Sequence, residues 1–147
     1  METIIETYAS AVTTQDQALC HLFFHCCLED EQFTSTEMDR LSALLVELEL
    51  QPKLHIKNEL VTYRHYKPSI TDEYSYLKFL IGLIQPVNEM ALYSYCLELC
   101  ISEPSLDARE EALLLKLGEI LGIVSADMVV ITKLMAQRRS VEIQKIF

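Results

Sequence analysis

The chain has 147 residues, half of them hydrophobic, with 3 Gly, 4 Pro and a formal net charge of −10 from 12 basic and 22 acidic side chains. This composition excludes disorder and fits one domain, 1–147, of regular structure, long enough to bury roughly 70% of its unfolded surface. The charge argues against unaided binding to nucleic acid or an anionic membrane, and favours metal cations or basic protein surfaces as partners.

In chain order, apolar spacing at i, i+3, i+4 and i+7 predicts eight helices, roughly 2–12, 14–29, 34–49, 53–66, 70–85, 87–101, 107–121 and 125–145. Leu41, Leu44, Leu45 and Leu48 show the period, as do Leu114, Leu117, Ile120 and Leu121. Pro52, Pro68, Pro86 and Pro104 all fall at inferred junctions, where a missing N–H is harmless. Thr34-x-x-Glu37 and Asp107-x-x-Glu110 read as capping boxes. Gly122 follows Leu121, where a left-handed residue ends a helix. No strand pattern occurs, so the expected class is all-α.

The chain also repeats. At an offset of 73 residues, Asp30-x-x-Phe33-Thr34-x-x-Glu37 recurs as Glu103-x-x-Leu106-Asp107-x-x-Glu110. Ala18, Leu19, Cys27, Glu37, Leu41, Leu44 and Leu48 are identical to Ala91, Leu92, Cys100, Glu110, Leu114, Leu117 and Leu121. Two tandem four-helix repeats, 1–68 and 69–147, follow as the expected architecture of the bundle. Charge repeats too: the segments 29–49 and 98–119 are acidic, whereas the fourth helix of each repeat carries Lys53, Lys57, Arg64 and Lys67, then Lys133, Arg138, Arg139 and Lys145.

Five Cys is an odd count. The start lacks a basic region followed by an apolar run, and no stretch of 18 uncharged apolar residues exists. A cytoplasmic protein with reduced thiols and no membrane span is expected. His21 and His25 stand at the i, i+4 spacing of zinc ligands, with Cys20, Cys26 and Cys27 beside them, and Cys96 and Cys100 share that spacing later. The alternative is that all of these pack in the core, where a free Cys behaves as a small hydrophobe. Ser-His-Asp, phosphate-binding Gly loops and dinucleotide fingerprints are missing, so no enzyme is expected. Tyr63, Arg64, Tyr66 and Lys67 form the one basic aromatic stretch, a residue mix enriched at protein interfaces, and are the expected partner-binding residues for a protein or a second copy. In the last helix, Met128, Ile131, Leu134 and Met135 make an apolar stripe expected to pack on the bundle, with Val141, Ile143, Ile146 and Phe147 beyond it as a possible dimer or partner surface.

An apolar helix, an acidic turn with Glu three residues after its cap, and a Leu-rich helix closing in Leu121-Gly122-Ile123 resemble the TerB-like family named for tellurite resistance. The resemblance covers both repeats, with Glu31 and Pro104 standing where the family pattern has Gly. It implies an all-helical bundle with internal duplication, a stress-response setting, no enzymatic activity, and divalent-metal binding at the acidic turns. Carried onto this chain, the implied metal ligands are Asp30 and Glu103, as oxygen donors for Ca²⁺, Mg²⁺ or Mn²⁺. No other cofactor is implied. Chelator-treated protein should then show a saturable rise in melting temperature with one of these ions, absent in Asp30→Asn/Glu103→Gln. No rise with any ion would leave the turns as helix caps.

Overall fold

The computed structural model describes residues 5–27, 35–48, 54–100 and 108–143. Those residues form eight α-helices and no strand, and none of the helices is long and apolar enough to cross a membrane. The chain divides into two compact units, Met1–Pro86 and Val87–Phe147.

The first unit holds α1 (Ile5–Ala11), α2 (Gln15–Cys27), α3 (Ser35–Glu47), α4 (Ile56–Tyr66), a 3-10 turn (Lys67–Ser69) and α5 (Glu73–Ile84). Its centre is α2, which packs against α3, α4 and α5. The sequence explains that position. From Cys20 to Cys27 every residue is buried, and apart from His21 and His25 the run is apolar on every side, so it has no face to offer water. Thr14-x-x-Gln17 starts α2 as a capping box. The Gln17 amide donates to Thr14 Oγ1 at 3.1 Å, and Gln17 Oε1 accepts in return from the Thr14 amide at 3.3 Å. Asp72 caps α5 by accepting from the Ser75 amide and hydroxyl, and Gln85 ends it in the left-handed region at φ 48° ahead of Pro86. Gln15 Nε2 donates to the Ile84 carbonyl at 2.6 Å, tying the start of α2 to the end of α5.

The second unit holds α6 (Glu89–Cys100), α7 (Ala108–Leu121) and α8 (Ser125–Ile143), with α6 packed on both others. Asn88 caps α6 by accepting from the Ala91 amide at 3.0 Å. Gly122 terminates α7 as expected, at φ 75°, with the Ile123 amide donating to Gly118 O and the Gly122 amide to Glu119 O. This is the two-bond pattern of a left-handed C-terminal cap, and it needs glycine because a Cβ is strained there.

Helices α3 and α7 begin one residue after Thr34 and Asp107; those two proposed caps lie outside the described residues. The stripe expected to pack along α8 needs correction. Met128 is buried, but Leu134 is 60% exposed. Met128 to Ile131 is an unbroken apolar run, so seating one side of the helix on α6 leaves the other sides outside.

Candidate functional site

The densest chemistry among the described residues lies inside the first unit. On α2, His21 and His25 stand one turn apart. Across from them α4 presents Glu59, Tyr63 and Tyr66, at i, i+4 and i+7 of one helical face, and α5 presents Glu73 and Tyr76. Two parallel Glu–His–Tyr lines result. His21 Nε2 lies 2.7 Å from Glu59 Oε1, and its Nδ1 lies 2.6 Å from the Tyr66 hydroxyl. His25 Nε2 lies 2.7 Å from Glu73 Oε2, and its Nδ1 lies 2.8 Å from the Tyr63 hydroxyl. The first line extends further: Tyr66 and Tyr76 share a hydrogen bond of 2.6 Å, and Gln17 Nε2 donates to Glu59.

Aromatic packing holds the lines in place. The His21 ring stacks on Tyr66 with 5.6 Å between centroids, and Tyr63 sits edge-on to both imidazoles. Tyr8 of α1 closes the cluster against Tyr66, Tyr76 and Phe79.

Burial sets the protonation. An ionised Glu59 only accepts, so Nε2 of His21 carries a hydrogen, and in neutral His21 the Nδ1 accepts from the Tyr66 hydroxyl. Burial pushes the His21 imidazole below its ordinary value, against the raising effect of the Glu59 hydrogen bond and charge. Burial also raises the Tyr66 and Tyr76 hydroxyls, and pushes the Cys20 thiol up to about 12, with Glu59 adding to it. His21, Tyr66 and Tyr76 are sealed from solvent, so a substrate has no route to the imidazole in this conformation.

The zinc spacing of His21 and His25 is therefore used differently from the way a metal would use it. All four ring nitrogens already face protein groups, and no group of three or more His, Cys, Asp or Glu among the described residues is arranged to hold a metal ion. All five cysteines are buried and none forms a disulfide. Asp30 and Glu103 lie outside the described residues. The basic aromatic stretch is split by its helix: the rings of Tyr63 and Tyr66 are in the core, Arg64 is exposed, and Lys67 is half-buried with its amine 6.0 Å from the Tyr63 ring centroid. Sequence reasoning missed Glu59, Glu73 and Tyr76 as partners of the histidines. The signal was available in the matched spacing of His21/His25 and Glu59/Tyr63/Tyr66.

A second feature belongs to the second unit. A groove of about 460 Å³ runs between α7 and α8, floored by Tyr93, Leu114, Met128 and Thr132 and edged by Leu115, Val129, Glu111 and Lys133. Burial raises the Tyr93 hydroxyl while a hydrogen bond to Thr132 opposes it, so the floor is uncharged. Leu115 and Val129 are exposed at its edge, and Val124, Val130 and Leu134 are exposed elsewhere on the same unit. No protein-family model, curated protein or solved structure matches the chain.

Proposed function

We propose that this chain is a non-enzymatic, TerB-like helical module built on two tandem repeats, and that it acts by taking an amphipathic helix of a protein partner into the groove between α7 and α8. The observation that carries this reading is the apolar lining of that groove, Leu114, Leu115, Met128 and Val129, with Leu115 and Val129 60% and 65% exposed at its edge. Scattered apolar residues on a surface are ordinary, whereas exposed aliphatic side chains at the two edges of an apolar groove mark a site for apolar contact. The groove's shape and lining suit the helix-in-groove mode, in which apolar anchors at i, i+3/4 and i+7 seat between two helices. Its edge carries one acid and one base, Glu111 and Lys133, which fix orientation more than affinity. The net charge of −10 favours a helix with basic flanks. The sealed His21 imidazole and the buried, strongly raised Cys20 thiol support a binding role over thiol or acid–base catalysis.

Selection of helical peptides from a displayed library, followed by titration calorimetry, tests this. Binders with apolar anchors and basic flanks are expected, with affinity falling at least tenfold in Leu115→Asp and Val129→Asp while both variants keep the wild-type melt. Peptides that bind the variants equally well would sink the assignment to this groove. Self-association that the same substitutions abolish would hand the groove to a second copy of the chain.

A further inference from the structure

The hydrogen bonds at His21 run in one direction. Glu59 accepts from Nε2–H, so Nδ1 must accept from Tyr66, and the Tyr66 oxygen then accepts from Tyr76. Among the described residues, Tyr66 is the single hydrogen-bond partner of the Tyr76 hydroxyl. A second proton on His21 turns Nδ1 into a donor. Tyr66 must then accept from His21, and one of the two tyrosine hydrogens, that of Tyr66 or that of Tyr76, is left in the core with no acceptor. A buried donor without a partner costs far more than the bond it replaces contributes.

We propose that the first unit contains an acid-sensitive latch: the chain Tyr76→Tyr66→His21→Glu59 holds α4 and α5 on α2 while His21 is neutral, and proton uptake at His21 is coupled to its release. The geometry favours this over a passive core contact because the line joins three helices through one titratable ring. From α4, the titratable groups facing that ring are Glu59, Tyr63 and Tyr66. From α5, Tyr76 faces it through Tyr66, and from α1, Tyr8 packs on both of those tyrosines. On α2 itself, Cys20 is the adjacent residue, and His25 is bonded to its own Tyr63 and Glu73. No described titratable side chain of α3 makes a hydrogen bond or ring contact to His21. Of the described groups that hydrogen-bond to His21 or make ring contact with it, none is a cation, and Glu59 is the one anion.

The sign follows from the direction of the shift. The unfolded imidazole takes up its proton near its ordinary value of about 6.5, and the folded one lower, because burial disfavours the imidazolium. The stability that neutral His21 contributes is therefore present in full above about pH 6.5 and lost as pH falls from there toward the folded value. Over that window each pH unit raises the unfolding constant about tenfold for the one proton taken up.

Denaturant melts of the full chain and of His21→Gln between pH 8 and pH 5, with imidazole nitrogen NMR of the wild type, test the latch. His25, His55 and His65 are common to both proteins and cancel in the comparison. The stability gap between wild type and variant is expected to be constant above about pH 7 and to narrow by close to tenfold in the unfolding constant per pH unit below 6.5. A gap that stays constant down to pH 5 would mean a structural role only and overturn the proposal. Should His21→Gln not fold, the wild-type spectrum decides. A neutral Nε2–H tautomer is expected to persist in the folded protein below the pH at which a free imidazole takes up its proton. Imidazolium at His21 in the intact fold near pH 6.5 or above would refute the latch.

Discussion

Tyr63→Ala is expected to lower the unfolding free energy by about 3–5 kcal/mol, the cost of emptying a large aromatic site in a packed core. The neighbouring change Arg64→Ala should stay within about 0.5 kcal/mol of wild type, as surface substitutions do. Both residues belong to the same basic aromatic stretch, and the helix separates them. Tyr63 is fully buried among His21, Phe24, His25 and Tyr66, whereas Arg64 is exposed one residue on. Truncation also removes the hydroxyl that His25 Nδ1 faces at 2.8 Å, leaving a polar ring without that partner near Glu73. Urea melts of the two variants measure the contrast. Equal and small losses would mean that the Tyr63 ring lies on the surface and that the stretch acts as a unit.

The pair shows what a linear reading of this sequence can and cannot deliver. Helix existence was legible because it rests on local rules. Gly122 has to end α7, and Pro86 has to follow α5, whatever the rest of the chain does. The all-α class follows from the same local signals. The role of Tyr63 and Tyr66 was not legible from composition, because Tyr and Arg together read equally well as an interface or as the two faces of one helix. The face is decided by α2. Its run from Cys20 to Cys27 has no polar side, so it must be surrounded, and its two histidines must find polar tips reaching in from the helices around it. Glu59, Tyr63 and Tyr66 supply them at matching spacing, as Glu73 and Tyr76 do from α5. The Thr14-x-x-Gln17 capping box was equally readable, since it fits the same Ser/Thr-x-x-Glu/Gln rule that pointed to Thr34. The exposed side of α8 was obscured for a different reason. Four apolar residues in a row leave the sequence with no preferred face, so only packing on α6 determines which of them end outside.

A coupled pair of large effects is expected in the second unit, centred on its one helix-interior glycine, Gly118. A Cβ built at Gly118 would overlap the Met128 sulfur and approach Met128 Cε and Cγ to 3.1 and 3.2 Å. Gly118 therefore sits where α7 must stay bare for the buried Met128 side chain of α8 to lie against it. Gly118→Val should cost about 1–3 kcal/mol, the range for inserting atoms into a packed site, because the flexible end of Met128 has to move aside. The gain in helix propensity on losing a glycine returns only about 0.5 kcal/mol of that. Met128→Ala alone should cost about 2–4 kcal/mol through the cavity it leaves. Because the new valine would fill the space that Met128 vacates, the double variant should lose clearly less than the two singles together, a coupling of about 1 kcal/mol or more. Thermal or denaturant melts of the three proteins give that coupling directly. Strict additivity would show that Gly118 and Met128 are not in contact, and the close packing of α8 against α7 that shapes the groove would go with it. A coupled pair would also supply a control for the binding reading, since Gly118→Val displaces the Met128 that floors the groove without touching its edge at Leu115, Val129, Glu111 or Lys133.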